Sequence, residues 1–439
     1  MASGSDGFME QLCTAIEGAS VSGETQVLIE RAIVDTLAVA AAGFTEPDVR
    51  TCEAVFAGGS APSWSGAACE STEAAILVNG IASHALDFDD LLPQAGHLSA
   101  ILVPALLSAG GRPPRGALTA AYAAGILAGR AVGRKAGPGL NQIGWHATDI
   151  LGAIASAAAV GRLRQLDRKK LRSALALAGA QAGGLRVNFG TMGKPAHAGF
   201  AAAAGYRAVR MAEAGIEAAP DIFCENGFTD TYGIGDGDPS PDATFFVPRP
   251  DLIIVKLYPC CYASHRLIRG AVELHQKLGK ECFLDPSVEI EVTVPPNMMR
   301  ALIYDRPRSG LEAKFSARQP IAIGLLEGAP GIDHFTDAVT ERSDLRALAD
   351  RVHFVVNKDA PPDAAPDSFP VQYAIRKGDK VLAEIEVLKV PGSRDDPPSR
   401  DAMRNKIADC FGAFERQAGA PYPMIGFVRE TAGLSDWLA

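Results

Sequence analysis

Residues 25–41, TQVLIERAIVDTLAVAA, decide the class of the fold. Their apolar side chains recur at helical spacing and not with the alternation of a strand, which predicts a helix. The same texture returns at 102–107, 117–132, 150–163, 169–182 and 199–214, in a half rich in Ala and Gly and poor in strand formers. Ala has the highest helix propensity, and its small side chain lets helix axes approach closely. Asp167 stands ahead of the 169–182 run as a candidate N-cap.

Further along, the texture changes. Residues 236–250 (DGDPSPDATFFVPRP) form a Pro- and Asp-rich connector. Beyond it, 287–294 (SVEIEVTV), 352–356, 371–375 and 381–388 alternate with period two and predict strands, with a Pro-rich turn region at 359–370. Helical periodicity resumes over 400–417. The expected fold is mainly α: a large all-helical domain (1–256), a smaller α+β domain (257–394), and C-terminal helices (395–439) rejoining the first domain.

The chain has 439 residues, 47% of them apolar, enough for two or three domains and incompatible with wholesale disorder. Its net charge of -9 argues against nucleic-acid and anionic-membrane partners. Eight scattered cysteines without CxxC spacing point to free thiols in a reducing compartment. With no visible signal peptide and no run long enough to span a bilayer, the expected location is cytoplasmic.

Phosphate-loop, dinucleotide-loop, HExxH and GxSxG motifs are absent, and GIGDGD at 233–238 has the wrong spacing for a dinucleotide loop. The segment 79–99, NGIASHALDFDDLLPQAGHLS, stands out because it crowds His84 and His97 with Asp87, Asp89 and Asp90. Its bland reading is a solvated helix end with a turn at Pro93. Its functional reading places His84 mid-helix with Asp87 at i+3 on the same face, where a carboxylate can set the tautomer of a histidine. A divalent-metal reading lacks specific spacing. Three more segments carry candidates: His146 in NQIGWHAT, Lys194 and His197 in a Gly- and Pro-punctuated loop (FGTMGKPAHAG), and His265 in KLYPCCYASHR. Each histidine taken alone is more often structural than catalytic. His275, His334 and His353 are read as structural.

Taken in order, NG.ASHALDFDD with H.S, G.H.T, G...KP.HAG, YP.C...H and EAKFS (312–316) make the chain resemble the MmgE/PrpD family. This family includes 2-methylcitrate dehydratase, cis-aconitate decarboxylase, iminodisuccinate epimerase and fungal alkylcitrate dehydratases. The resemblance implies a helical domain built from N-terminal and C-terminal parts, an α+β lid domain, and a site in the cleft. It also implies a homodimer that needs no metal or organic cofactor, acting on a small di- or tricarboxylate.

The catalytic positions implied by the resemblance fall on Asp87, His97, His146, Lys194 and His265. A Thr position of the decarboxylase branch falls on Leu91, and the usual HPS or HPG is His97-Leu98-Ser99. Leu91, His84 and Tyr258 are taken as substrate-binding, and Arg186, Arg266 and Arg318 as alternative carboxylate clamps. In this reading Lys194 neutralises a carboxylate and His97 and His146 exchange protons at the adjacent carbon. Asp87 orients a site histidine, and His265 closes over the substrate. The expected activity is a lyase, by dehydration or decarboxylation. Epimerisation, which the loss of a hydroxyl at Leu91 favours, and a silent binding member of the family are the alternatives.

Overall fold

The computed structural model describes residues 5–137, 139–140, 142–232, 237, 244–361 and 369–438. Residues 233–236 and 238–243, which include most of the GIGDGD segment and part of the expected connector, lie outside that description, as do 362–368 of the turn region. The chain divides into two compact units, Met1–Ile254 with Ser399–Ala439, and Val255–Pro398. The architecture is mainly α.

In the first unit the 25–41 pattern is part of a helix, Gly23–Gly43, in which every residue from Ile29 to Gly43 is buried. A helix buried on all sides sits at the centre of its domain. It packs against the helices Thr72–His84 and Arg400–Ala418. Around it stand Ser99–Gly110, Arg115–Ala136, Ala147–Leu163, Arg168–Gly179 and Gly193–Glu213. Asp167 caps Arg168–Gly179 by accepting from the Lys170 N–H at 2.9 Å.

Small residues bring these helices close enough to build a site. A Cβ on Gly80 would lie 2.8 Å from the Gly199 Cα, and one on Gly199 would lie 2.5 Å from the Leu77 carbonyl oxygen. Thr72–His84 and Gly193–Glu213 therefore cross with their backbones almost touching, which sets the C-terminal end of the first against the N-terminal turn of the second.

Three local expectations change. The first unit is not all-helical: Ala57–Pro62 and Ala68–Cys69 pair as a short antiparallel hairpin, whose first strand is mostly exposed. Small, Gly-containing sequence with no alternating apolar face left that strand without a readable period. His84 is not mid-helix but the last residue of Thr72–His84, which Ser71 caps at its start by accepting from Ala74 N–H. Lys194 and His197 are not in a loop, because the helix begins at Gly193, where Pro195 is tolerated in the first turn.

The second unit carries a four-stranded sheet in the order Val352–Val356, Val288–Val294, Val371–Lys377, Lys380–Val387. The first pair is parallel and the other two antiparallel. A parallel pair needs a crossover, here the helical stretch between Val294 and Val352 that includes Arg318–Glu327. The period-two reading holds: Val288, Ile290, Val292 and Val294 are buried while Glu289 and Glu291 are exposed. The helix His265–Leu278 packs on this sheet, fixed by the Tyr373 hydroxyl donating to the Leu267 carbonyl at 2.5 Å.

All eight cysteines are free. Among the described residues, no helix is long and apolar enough to cross a membrane.

Candidate active site

Beyond His84 the chain turns sharply, with Asp87 in the left-handed region at φ 50°. Asp adopts that conformation more readily than most residues, but it still costs energy and calls for a compensating contact. The contact is Lys194, whose ammonium donates to Asp87 Oδ1 at 2.8 Å and to His84 Nε2 at 2.8 Å. Asp87, Asp89, Asp90, His84, His97 and Lys194 are all buried. The reading of this segment as a solvated helix end therefore fails: the helix crossing at Gly80 and Gly199 covers it.

Hydrogen bonds assign the protons. His84 Nδ1 lies 2.8 Å from Asp89 Oδ1, and a carboxylate can only accept, so Nδ1 carries the hydrogen. The opposite nitrogen, Nε2, then takes the Lys194 proton as an acceptor. His97 Nδ1 lies 3.0 Å from Asp89 Oδ2 and 2.9 Å from the Asp90 carbonyl oxygen, so it too is the protonated nitrogen. His97 Nε2 is thereby the basic nitrogen, 3.9 Å from Asp87 Oδ1. The carboxylate that orients His97 is Asp89, whereas Asp87 holds Lys194; sequence reasoning gave the orienting role to Asp87. The missed signal was the second acid of DFDD, bonded to His84 five residues before it and to His97 eight after it.

The loop that presents His97 is pressed onto a helix start. Gly96, at φ 81°, lies where a Cβ would come within 2.5 Å of Thr148 Oγ1. The next N–H, that of His97, donates to the same Thr148 oxygen at 3.3 Å. His146, one residue before the helix Ala147–Leu163, is held by its N–H donating to the Gly184 carbonyl at 3.0 Å. Its ring stacks at 6.2 Å on His84 and meets Phe189 edge-on at 5.0 Å.

His146 Nδ1 is 2.9 Å from His197 Nδ1, and the Asn188 amide nitrogen is 3.3 Å from His197 Nε2. Asn188 donating to Nε2 leaves Nδ1 as the protonated nitrogen of His197, which donates to His146 Nδ1 and leaves the hydrogen of His146 on Nε2. The two histidines thus present opposite faces: a lone pair on His97 Nε2 and an N–H on His146 Nε2. His197, a candidate by its segment, is not among the catalytic positions implied by the resemblance. Once Gly193–Glu213 is a helix, its i+3 relation to Lys194 puts both on one face.

Burial, then the Lys194 cation and neighbouring imidazoles, holds His146 well below the ordinary histidine range. Burial lowers His84 to about 3 and His197 to about 4, helped by the same cation. Burial alone would raise Asp89, but the imidazoles of His84 and His97 outweigh it and hold the carboxyl down, ionised. His146 is thus a neutral N–H donor at neutral pH, in contrast to the proton-exchanging role expected from its sequence position.

His84, Asp87, Asp89 and His97 offer ligand atoms within 4.8 Å of one another, a set able to hold a divalent ion. The Lys194 ammonium competes for that place, since it sits on two of those four groups. His84, taken as substrate-binding, has zero exposure and both nitrogens engaged, so it positions Lys194 and Asp89.

Of the remaining candidates, Leu91 is half-buried and pairs through its backbone with Ile254, at 2.9 and 2.8 Å. Arg186 is half-buried beside the bridge between Trp145 and Leu185. His265, Tyr258, Arg266 and Arg318 belong to the second unit. His265 is fully buried with Tyr258 edge-on at 5.2 Å. Arg266 donates to the Phe369 carbonyl at 2.6 Å. Arg318 donates to the carbonyls of Ala349 and Val352 and pairs with Asp305. These bonds give both arginines a structural task inside their own unit.

Residues 10–239 match the MmgE/PrpD N-terminal domain and residues 258–419 the MmgE/PrpD C-terminal domain. Curated relatives include cis-aconitate decarboxylase of Homo sapiens, 28% identical over 312 residues, 68% of this chain and 63% of the relative. The Mus musculus protein of that name is 26% identical over 347 residues, 76% of this chain and 70% of the relative. A cis-aconitate decarboxylase-like protein, oryM, of Aspergillus oryzae is 24% identical over 361 residues, 76% of this chain and 74% of the relative. The chain thus spans just under two thirds of the human relative's length.

Proposed function

Since the chain belongs to the MmgE/PrpD family, whose members include lyases of the cis-aconitate decarboxylase type, we propose that it is a lyase acting by proton transfer on a small di- or tricarboxylate. The observation that carries this reading is the buried Lys194 ammonium, held by Asp87 and His84 next to a histidine base that Asp89 orients.

In this reading Lys194 and the His146 Nε2–H receive a substrate carboxylate and the enediolate formed from it. Donors aimed at developing charge in a water-poor site act there more strongly than in water. His97 Nε2 removes the proton from the carbon α to that carboxylate, and Asp89 stabilises the imidazolium formed. Dehydration follows when the electron pair expels a β-hydroxyl, which leaves as water by taking from the His97 imidazolium the proton that His97 removed, so that His97 returns to its neutral form. Decarboxylation uses the same groups in the other direction. Protonated His97 delivers its proton to an alkene carbon, the bond to the departing carboxylate breaks, its electron pair forms the new double bond, and CO₂ leaves. These steps need no organic cofactor or metal.

A second reading, epimerisation, is favoured by Leu91, which offers no hydroxyl to a leaving group. NMR in deuterated water separates the two on a panel of citrate, 2-methylcitrate, cis-aconitate, iminodisuccinate and alkylcitrates. Loss of water or CO₂ supports the lyase. Deuterium entry at one carbon without loss of a group supports the epimerase. Silence across the whole panel counts against both and for the binding member.

A further inference from the structure

Among the groups outside the catalytic constellation, one buried cation reaches directly into the loop that carries it. Lys406 lies on the C-terminal helix Arg400–Ala418 and its side chain is buried. Its ammonium is 2.7 and 2.9 Å from the two carboxylate oxygens of Asp35, 371 residues away on the central helix. The same ammonium donates to the Phe88 carbonyl oxygen at 2.8 Å and lies 4.2 Å from the centre of the Phe88 ring.

Phe88 is the residue between the two acids of the site. Asp87, before it, holds Lys194 from a left-handed backbone, and Asp89, after it, holds His84 and His97. We infer that Lys406, anchored by Asp35, is a positioning residue that fixes the peptide between Asp87 and Asp89 and so sets the direction of both carboxylates. This inference rests on reading Asp87, Lys194 and His97 as the active site.

The physical argument has two parts. A buried carbonyl without a donor costs energy, so the loop relaxes toward another partner when its donor is removed. A buried ammonium without a counter-charge costs more, which explains why Asp35 accompanies Lys406. The ordinary structural explanation is that Lys406 and Asp35 merely neutralise each other inside the helical unit. The contact to Phe88 separates the two explanations, because charge neutrality does not require it.

The decisive variant is therefore the double change Asp35→Leu/Lys406→Met. It removes both charges together, and such replacements are often neutral for stability, but it leaves the Phe88 carbonyl without its donor. The substrate-independent readout is the set of downfield imidazole N–H signals of His84 and His97 in the proton NMR spectrum. The proposal expects cooperative unfolding close to that of the native chain, with these signals displaced or exchanging with water at least tenfold faster. On an acid that the native chain turns over, kcat should fall by ~10²-fold, the scale of a 1 Å misplacement, with KM little changed.

A folded double variant with unchanged imidazole signals overturns the proposal, whatever the substrate proves to be. Native silence on the substrate panel overturns the proposed function and leaves the NMR result to decide this inference. If the double variant does not fold, Lys406→Arg decides. It keeps a cation beside Asp35 but carries a planar fork in place of a point donor. Displaced imidazole signals in the folded Arg variant support positioning, and native-like signals overturn it.

Discussion

Nδ1 of His97 donates to Asp89 while its Nε2 faces Asp87, the acid that holds Lys194, so a change at either His97 or Lys194 should impair turnover. His97→Ala removes the proton carrier and should lower turnover by ~10²–10⁴-fold. Lys194→Met keeps the length of the side chain but removes the charge, with a loss of similar size expected in kcat. His353→Ala, at an exposed position in the strand Val352–Val356, should leave turnover within twofold of native, a reference for nonspecific damage. Equal activity in all three variants, measured on an acid the native chain processes, would remove His97 and Lys194 from the site. Leu91 calls for a different comparison. If it lines the substrate path, a polar substrate group meeting it loses a partner at a cost of ~1–3 kcal/mol. Leu91→Thr should then lower kcat/KM on the native substrate and raise it on more polar acids of the panel. Identical substrate preference before and after the change would place Leu91 outside the path.

Several elements converge behind the site on a buried polar chain. Ser99, at the start of Ser99–Gly110, donates to Asp90 at 2.7 Å and lies 2.5 Å from the hydroxyl of Tyr122 on Arg115–Ala136. Burial, aided by Asp35 and Asp89, pushes the Asp90 carboxyl from its ordinary 3.8 up to about 8, despite the Ser99 bond and Lys406. The folded chain therefore keeps a proton on Asp90 that the unfolded chain releases, and this contribution to stability is present in full below about pH 4. It declines as pH rises toward 8, by at most ~1.4 kcal/mol per pH unit. Asp90→Asn keeps a neutral group there and removes that decline. Urea denaturation at pH 5 and pH 8 should show the variant gaining on the native chain as pH rises. A stability difference that does not change between the two pH values would mean that Asp90 is ionised in the folded protein.

For the whole molecule, the first unit leaves apolar side chains on its surface near the His146 segment. An isolated antiparallel bridge joins Trp145 to Leu185, between a turn that carries Ile143 and the 3-10 helix Arg186–Asn188 that carries Val187; Ile143, Leu185 and Val187 are all exposed, as is Phe200 on Gly193–Glu213. Clustered exposed apolar surface marks interaction sites more often than isolated residues do. With the homodimer implied by the family resemblance, this predicts association of two chains through the helical unit. Light scattering at micromolar concentration should give the mass of two chains, and Val187→Glu should shift it toward one. A native mass of one chain would count against the prediction.

Local periodicity made the helices of the first unit and the strands of the second legible, because backbone geometry repeats within a few residues. The 25–41 pattern lies inside Gly23–Gly43, the 352–356 alternation is the strand Val352–Val356, and Asp167 caps the helix it was expected to cap. The crowding of His84, His97 and three acids in 79–99 also pointed to the segment that the fold buries against Lys194 as a candidate site. What the sequence could not assign was which acid serves which partner. That depends on the near-contact of Gly80 and Gly199, which brings Lys194 to Asp87 and leaves Asp89 to His97. Lys406 had a faint signal, a lysine on the buried stripe of Met403, Ile407 and Cys410. Its meaning required Asp35 and Phe88, and no spacing along the chain encodes contacts hundreds of residues apart. Short-range periods are set by backbone geometry, whereas the direction of each buried hydrogen bond is set by which helices the packing of small residues allows to meet.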